Sequence, residues 1–135
     1  MRVIIAGSRD LQNAAAVSAA MDASGFVPTQ VVSGAARGAD ALGEAWAQAR
    51  GIAIRQFPAD WSHGRSAGPI RNARMAAYAD ALVAVWDGRS PGTRNMISTA
   101  QRRGLQVYVH RLDDAHLSEH VVASQLPIDF CITKL

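Results

Sequence analysis

The chain has 135 residues, 14 basic and 11 acidic, with one Cys; it is long enough for one domain to bury a core unaided, and it excludes an internal disulfide or a multi-cysteine zinc site. Thirteen of the 14 basic residues are Arg and the one Lys is Lys134, so a Walker A phosphate loop and a pyridoxal Schiff base both lack their essential amine. The net charge of +3 admits an anionic partner, while no apolar run approaches the roughly 18 residues of a membrane span, so no membrane contact and a cytoplasmic location are the expectations.

Short β-branched runs alternate with Ala-rich stretches, and Gly, Ser or Asp marks nearly every join. This pattern predicts an α/β fold, a Rossmann-like doubly wound and mostly parallel sheet of about five strands with helices on both faces. The first strand is expected at 2–6, followed by a helix at about 12–24 that places Ala14, Val17 and Met21 on one face and stops at Gly25. A strand at 29–33 and a helix at 38–50 come next, the helix carrying Ala39, Leu42, Trp46 and Ala49 in one stripe.

A third strand at 52–57 runs into a Pro/Gly/Ser loop at 58–66, and loops of this length are often functional. A helix at 67–79 precedes a fourth strand at 81–86, whose nearly continuous apolar run suits a central strand covered on both faces. After the loop at 87–93, Thr93 is the expected N-cap of a helix ending at Gly104, and a fifth strand spans 105–110. In the less regular tail, Asp113 or Asp114 is expected to cap a short helix to about Ser124, with one more strand at 128–133. No repeat or linker divides the chain, so 1–135 reads as one domain, with 1–110 as core and 111–135 as an extension.

In an open parallel sheet the ligand crevice lies beyond the carboxyl ends of the strands, where the winding reverses. Arginine recurs in the loops on that edge: Arg9 after the first strand, Arg37 after the second, Arg65 and Arg71 after the third, Arg89 and Arg94 after the fourth. Arg50, Arg102 and Arg103 instead fall at helix ends, where a cation complements the dipole. At a helix start the dipole disfavours a cation unless an anion is present. A phosphate supplies one, held by free N–H groups and bidentate guanidinium donors.

Small residues share that edge. Gly7-Ser8, the run Ser33-Gly34-Ala35-Ala36 with Gly38, and Gly88 with Gly92 allow a ligand to approach the backbone. The dinucleotide fingerprint G-x-G-x-x-G is absent after the first strand, which disfavours a nicotinamide dehydrogenase. Asp40 and Glu44, one helical turn apart, and the loop residues Asp60 and Asp87 are candidates to polarise water or hold a ribose hydroxyl; each also suits a helix cap or an Arg partner. Trp61 is the candidate base-stacking platform, and Trp46 and Trp86 read as core. His116-Leu117-Ser118-Glu119-His120 matches the H-x-x-E-H zinc string, but that chemistry needs a distant third ligand and only 15 residues follow. The string reads as a polar helix face, and neither a metal nor a cofactor is expected.

Taken in order, these motifs resemble the SLOG superfamily and, within it, the YspA-like branch of small Rossmann-like proteins. The resemblance is carried by Ala6-Gly7-Ser8-Arg9, by Val32-Ser33-Gly34-Ala35-Ala36-Arg37-Gly38-Ala39-Asp40 and by Phe57-Pro58-Ala59-Asp60-Trp61. It continues through Ala67-Gly68-Pro69-Ile70-Arg71-Asn72-Ala73-Arg74-Met75 and Asp87-Gly88-Arg89-Ser90-Pro91-Gly92-Thr93, and covers about the first 110 residues. Distant relatives of the LOG type are phosphoribohydrolases that release the base from cytokinin nucleotides, with an R-K-x-x-M helix and a P-G-G-x-G-T-x-x-E loop. Arg71 and Met75 match the first motif, with Asn72 in place of Lys; Gly92 and Thr93 match the second, with Met96 where the catalytic Glu stands.

The resemblance implies a nucleotide-derived small molecule as partner, a homodimer or higher homo-oligomer, and Arg71 as a catalytic or phosphate-side arginine. The implied ligand contacts are Gly7, Ser8, Arg9, Gly34, Arg37, Gly38, Asp40, Arg71, Asn72, Gly88, Gly92 and Thr93. Methionine at position 96 neither stabilises an oxocarbenium ion nor activates water, so binding, as a sensor or sequestering protein, is favoured over cleavage. The alternative is a nucleoside 5'-monophosphate N-glycosidase in which Arg71 acts with a displaced carboxylate, Asp87 or Asp40. Single-stranded nucleic-acid binding ranks third, because aromatic residues, which supply stacking platforms, make up only 6% of the chain.

Overall fold

In β1 (Arg2–Gly7), the four residues from Val3 to Ala6 are all buried, because this strand lies at the centre of the sheet and is covered on both faces. The structure, a computed structural model, describes residues 1–112. The chain continues through α1 (Ala14–Ser24), β2 (Gln30–Ser33), α2 (Ala39–Ala49) and β3 (Ala53–Gln56). A 3₁₀ segment at Trp61–Ser66 then leads to α3 (Ala67–Tyr78), β4 (Ala81–Trp86), α4 (Pro91–Arg102) and β5 (Gln106–Arg111). All strand pairs are parallel, in the order β3-β2-β1-β4-β5, which is the expected Rossmann-like, doubly wound α/β sheet.

Side-chain alternation divides the core into two layers. Val3, Ile5, Val31, Val83 and Val85 face α1 and α2, where Val17 and Met21 meet them. Ile4, Ala6, Val32, Leu82 and Ala84 face α3 and α4, against Met75, Met96 and Ile97. Each fully buried Val, Leu or Ile contributes roughly 1.5–3 kcal/mol relative to exposure. Small residues let the layers close: a Cβ on Gly43 of α2 would lie 2.7 Å from Ile5 Cγ2. At the edge, β3 exposes Arg55, whose guanidinium lies 5.0 Å from the Phe57 ring centre and 4.9 Å from that of Tyr78. Such a charged edge discourages pairing with another chain.

Most boundaries fall within one or two residues of expectation, and two segments differ. Helix α4 begins at Pro91 after Ser90, so Thr93 is not its N-cap; it is buried in the first turn. Proline at the first helical position is preorganised by its fixed φ and loses no hydrogen bond. The 58–66 loop is also partly ordered as helix, because Asp60 Oδ1 accepts from the Ser62 N–H at 3.1 Å and from its hydroxyl at 2.6 Å, starting the 3₁₀ turn. The tail helix and strand expected beyond 112, the His116 to His120 string and Cys131 lie outside the described residues. No described helix is long and apolar enough to cross a membrane.

Candidate functional site

From β1 the sheet winds outward through β2 and β3 on one side and through β4 and β5 on the other, so a crevice opens where β1 and β4 end. There the backbone is tightly closed: a Cβ on Gly7 would collide with the Val85 carbonyl oxygen. Above it lies a cleft of about 790 Å³, floored by Ala6, Gly7, Met75 and Met96. Arg9, Arg37, Asp40, Trp61, Arg65, Arg71 and Asn72 also line it, together with Ser90 to Thr93 and Asn95 from the start of α4. A cavity of about 270 Å³ is lined by Gly34, Ala35, Pro58 and Ala59, and shares Arg9, Ala36, Arg37, Trp61 and Arg71 with the cleft.

Arg71 is held in place by the protein. Its Nη1 donates to the Gly34 carbonyl at 2.6 Å and its Nε to Asn72 Oδ1 at 3.0 Å, while Nη2 has no hydrogen-bond partner among the described residues. Burial pulls the guanidinium below its ordinary pKa; Asp40 opposes the shift and Arg9 adds to it. Asn72, where the resembling hydrolases carry Lys, is buried, and its Nδ2 donates to Asn95 Oδ1 at 2.9 Å and to the Gly92 carbonyl at 3.3 Å. A primary amide both donates and accepts. Asn72 therefore ties Arg71 to the start of α4, a role that lysine, with no acceptor, could not fill.

Asp40, in the first turn of α2, is 7% exposed. Burial pushes its carboxyl up to about 6, opposed by the Ala36 N–H donated to Oδ2 at 3.1 Å and by the charges of Arg71 and Arg9, while Glu44 reinforces the rise. The loop leading to it is strained. Ala35 has φ 61° and is the one described non-glycine residue with positive φ, a conformation that needs support. Ser33 supplies it: its Oγ accepts the Ala35 N–H at 3.0 Å and donates to Glu44 Oε2 at 2.6 Å. Gln56 donates to both oxygens of Glu44, so Glu44 props the loop instead of facing the cleft.

Ahead of α4, Asp87 organises the β4–α4 loop. Its Oδ1 accepts the backbone N–H groups of Arg89 and Ser90, both at 2.8 Å, and its Oδ2 the Ser90 hydroxyl at 3.0 Å. These bonds, led by that of the Ser90 N–H, hold the carboxyl below the usual range. Buried Ser8 accepts the Asp87 N–H at 3.2 Å. Asp87 and Gly88 are absent from the cleft lining, whereas Gly92 and Thr93 belong to it. Gly38 acts beneath the site: its φ is 73°, and a Cβ would collide with the carbonyl oxygens of Ser8 and Arg9. Trp61 is 56% exposed, with Arg9 5.4 Å from its ring centre. Arg37 is exposed and 3.9 Å from Asp10.

Of the residues singled out in the sequence, Gly7, Arg9, Arg37, Asp40, Trp61, Arg71, Asn72, Gly92 and Thr93 thus meet at one cleft. Gly34 lines the adjoining cavity, while Ser8, Gly38, Asp87 and Gly88 shape the loops behind. Asn95 and Ser90 also line the cleft and were not singled out; Asn95 lies one turn after Gly92 on α4, a spacing that places both on one helix face. Among the described residues, no group of three or more His, Cys, Asp or Glu is placed to hold a metal ion.

The sequence profile of the YspA, cpYpsA-related SLOG family (YAcAr) matches residues 1–64. "Gene 61 protein" of Mycobacterium phage D29 is 40% identical over 84 residues, covering 57% of this chain and 67% of the phage protein. No solved structure matches significantly.

Proposed function

Because the chain belongs to the YspA, cpYpsA-related SLOG family, we propose that its cleft binds a nucleotide or a nucleotide-derived small molecule bearing phosphate and ribose, as a sensor or sequestering protein. The observation that carries this reading is the fixed Arg71 guanidinium, with two donors committed to Gly34 and Asn72 and Nη2 left for a ligand. Preorganisation lowers the entropy cost of binding, and charge-assisted bonds to phosphate are among the strongest in proteins. In this reading the phosphate lies against Arg71, the ribose toward Gly92 and Thr93 at the start of α4, and the base on the exposed face of Trp61.

Titration calorimetry with AMP, ADP-ribose, NAD and cyclic nucleotides tests it. Binding of at least one of them, lost in Arg71→Ala, is expected; no binding to any, or equal binding after the substitution, overturns the reading. A second reading, N-glycosidic cleavage, is favoured by one observation, the buried Asp40 carboxyl in the cleft. Chromatography separates the two: AMP recovered intact after prolonged incubation supports binding, and release of adenine replaces it with hydrolysis.

A further inference from the structure

The β2–α2 loop already gives one N–H to an anion that belongs to the chain. Asp40 Oδ2 accepts the Ala36 N–H at 3.1 Å. That oxygen lies 2.8 Å, and Arg71 Nη1 2.6 Å, from the point a Cβ on Gly34 would occupy, so carboxylate and guanidinium flank one spot. Oδ1 has no hydrogen-bond partner among the described residues, and Asp40 lines the cleft. The charges acting on it come from Arg71 on α3, Arg9 in the β1–α1 loop and Glu44 on α2. Arg37, Arg65 and Asp10 also line the cleft, and α4 contributes no charged side chain to it.

A phosphate monoester at Arg71 would place a second anion beside this carboxylate in a buried setting, where two acidic groups cannot both stay ionised without a large cost. We infer that Asp40 is the specificity-determining residue of the cleft, an internal counter-anion that a phosphate monoester meets only after Asp40 has taken up a proton, so that each ligand bound brings one proton from solvent. The proton goes to Oδ1, the neutral carboxyl donates its O–H to a phosphate oxygen, and Oδ2 keeps the Ala36 N–H; no bond in the ligand is made or broken. A ligand that presents a hydroxyl there instead finds an ionised acceptor and brings no proton. Burial has already moved the carboxyl up to about 6, so the uptake needs only a further rise. This inference rests on the phosphate reading above.

The test uses AMP, whose phosphate is fully dianionic well above its second pKa of about 6. Calorimetry at pH 7.5 in two buffers of different ionisation enthalpy counts the protons, and we expect uptake approaching one per AMP in the wild type and none in Asp40→Asn. Between pH 6.5 and 8 wild-type affinity should fall toward tenfold per pH unit while the variant stays flat, since linkage of one proton sets that slope. The carbon-13 resonance of the Asp40 carboxyl gives a readout that needs no variant: its titration midpoint rises when AMP saturates the protein. AMP binding without proton uptake, parallel pH profiles for wild type and variant, or an unmoved midpoint overturns the inference and leaves the phosphate reading standing. No AMP binding at pH 6 by either protein overturns this inference, and the reading it rests on falls with it only if ADP-ribose, NAD and cyclic nucleotides also fail to bind.

Discussion

Arg71 has given Nε to Asn72, its neighbour on α3, and Nη1 to Gly34 in the β2–α2 loop, so its position is set by two acceptors. A lysine carries one point charge and cannot satisfy both while facing a ligand. We expect Arg71→Ala to weaken AMP binding about 10- to 100-fold, the worth of one or two charge-assisted hydrogen bonds, and Arg71→Lys to recover little of it; calorimetry on variants of unchanged melting temperature checks this. Two glycines separate binding from folding at the same scale. At Gly34 an added Cβ meets side-chain ends, Arg71 Nη1 and Asp40 Oδ2, which can swing away. Gly34→Ala should therefore lose AMP affinity at a cost of less than about 1 kcal/mol in stability. At Gly38 a Cβ meets backbone oxygens at a φ of 73°, and Gly38→Ala should cost about 3 kcal/mol from left-handed strain plus overpacking, measured by urea unfolding.

The start of α4 shows how one element is placed. Proline at its first position, the Asp87 carboxylate on the preceding amides, and the bond from Asn72 to Gly92 fix this helix end, so its first turn stands on the cleft wall. Asp87→Ala removes the loop's acceptor. The expected result is a loss of about 1 kcal/mol, as for other caps, with AMP affinity reduced a few-fold because the helix start loosens; urea unfolding and calorimetry read the two effects. The bonds to Ser90 and Arg89 lower the Asp87 pKa, so this contribution is complete above the ordinary carboxylate value and vanishes as the pH falls below it. Asp60, lowered mainly by the Ser62 hydroxyl, behaves in the same direction at the 3₁₀ turn.

For the whole molecule, Asp40 sets the opposite trend. Its carboxyl rises from 3.8 to about 6 on folding, so the folded state is favoured while Asp40 is protonated, below about pH 4, and that advantage is lost as the pH climbs through 6. A shift of this size corresponds to up to about 3 kcal/mol. Urea unfolding at pH 4.5 and 7.5 should show the wild type losing stability relative to Asp40→Asn at the higher pH. The opposite contribution of His110, whose imidazole is held below its ordinary value by burial, is common to both proteins and cancels in the comparison. The buried charge is a cost the fold carries at the cleft, in keeping with perturbed carboxyls marking functional sites.

Chain-local physics made the fold legible from the sequence. The apolar run of β4 and the stop at Gly25 depend on neighbours a few residues apart, and both reappear in the structure. So does the concentration of arginine and glycine at the edge where strands pass into helices, because parallel winding sends each strand's end to the same side. The stripe expected along α2 does not: Ala39, Asp40, Gly43 and Ala47 are buried, Leu42 and Trp46 are half-buried and Ala49 is exposed, because close approach to the sheet selects the face that carries Gly43. Tertiary structure alone decided which of those residues work together. Arg71 finds its acceptor on Gly34, 37 residues earlier in the chain, and Asn72 meets Asn95 23 residues later. Asp87, equivalent to Asp40 in the sequence as a ligand-side carboxylate, turns inward to its own loop, while Asp40 is buried at the cleft. A carboxylate's role is set by the donors and the water around it, and those are fixed by segments that only the packed sheet brings together.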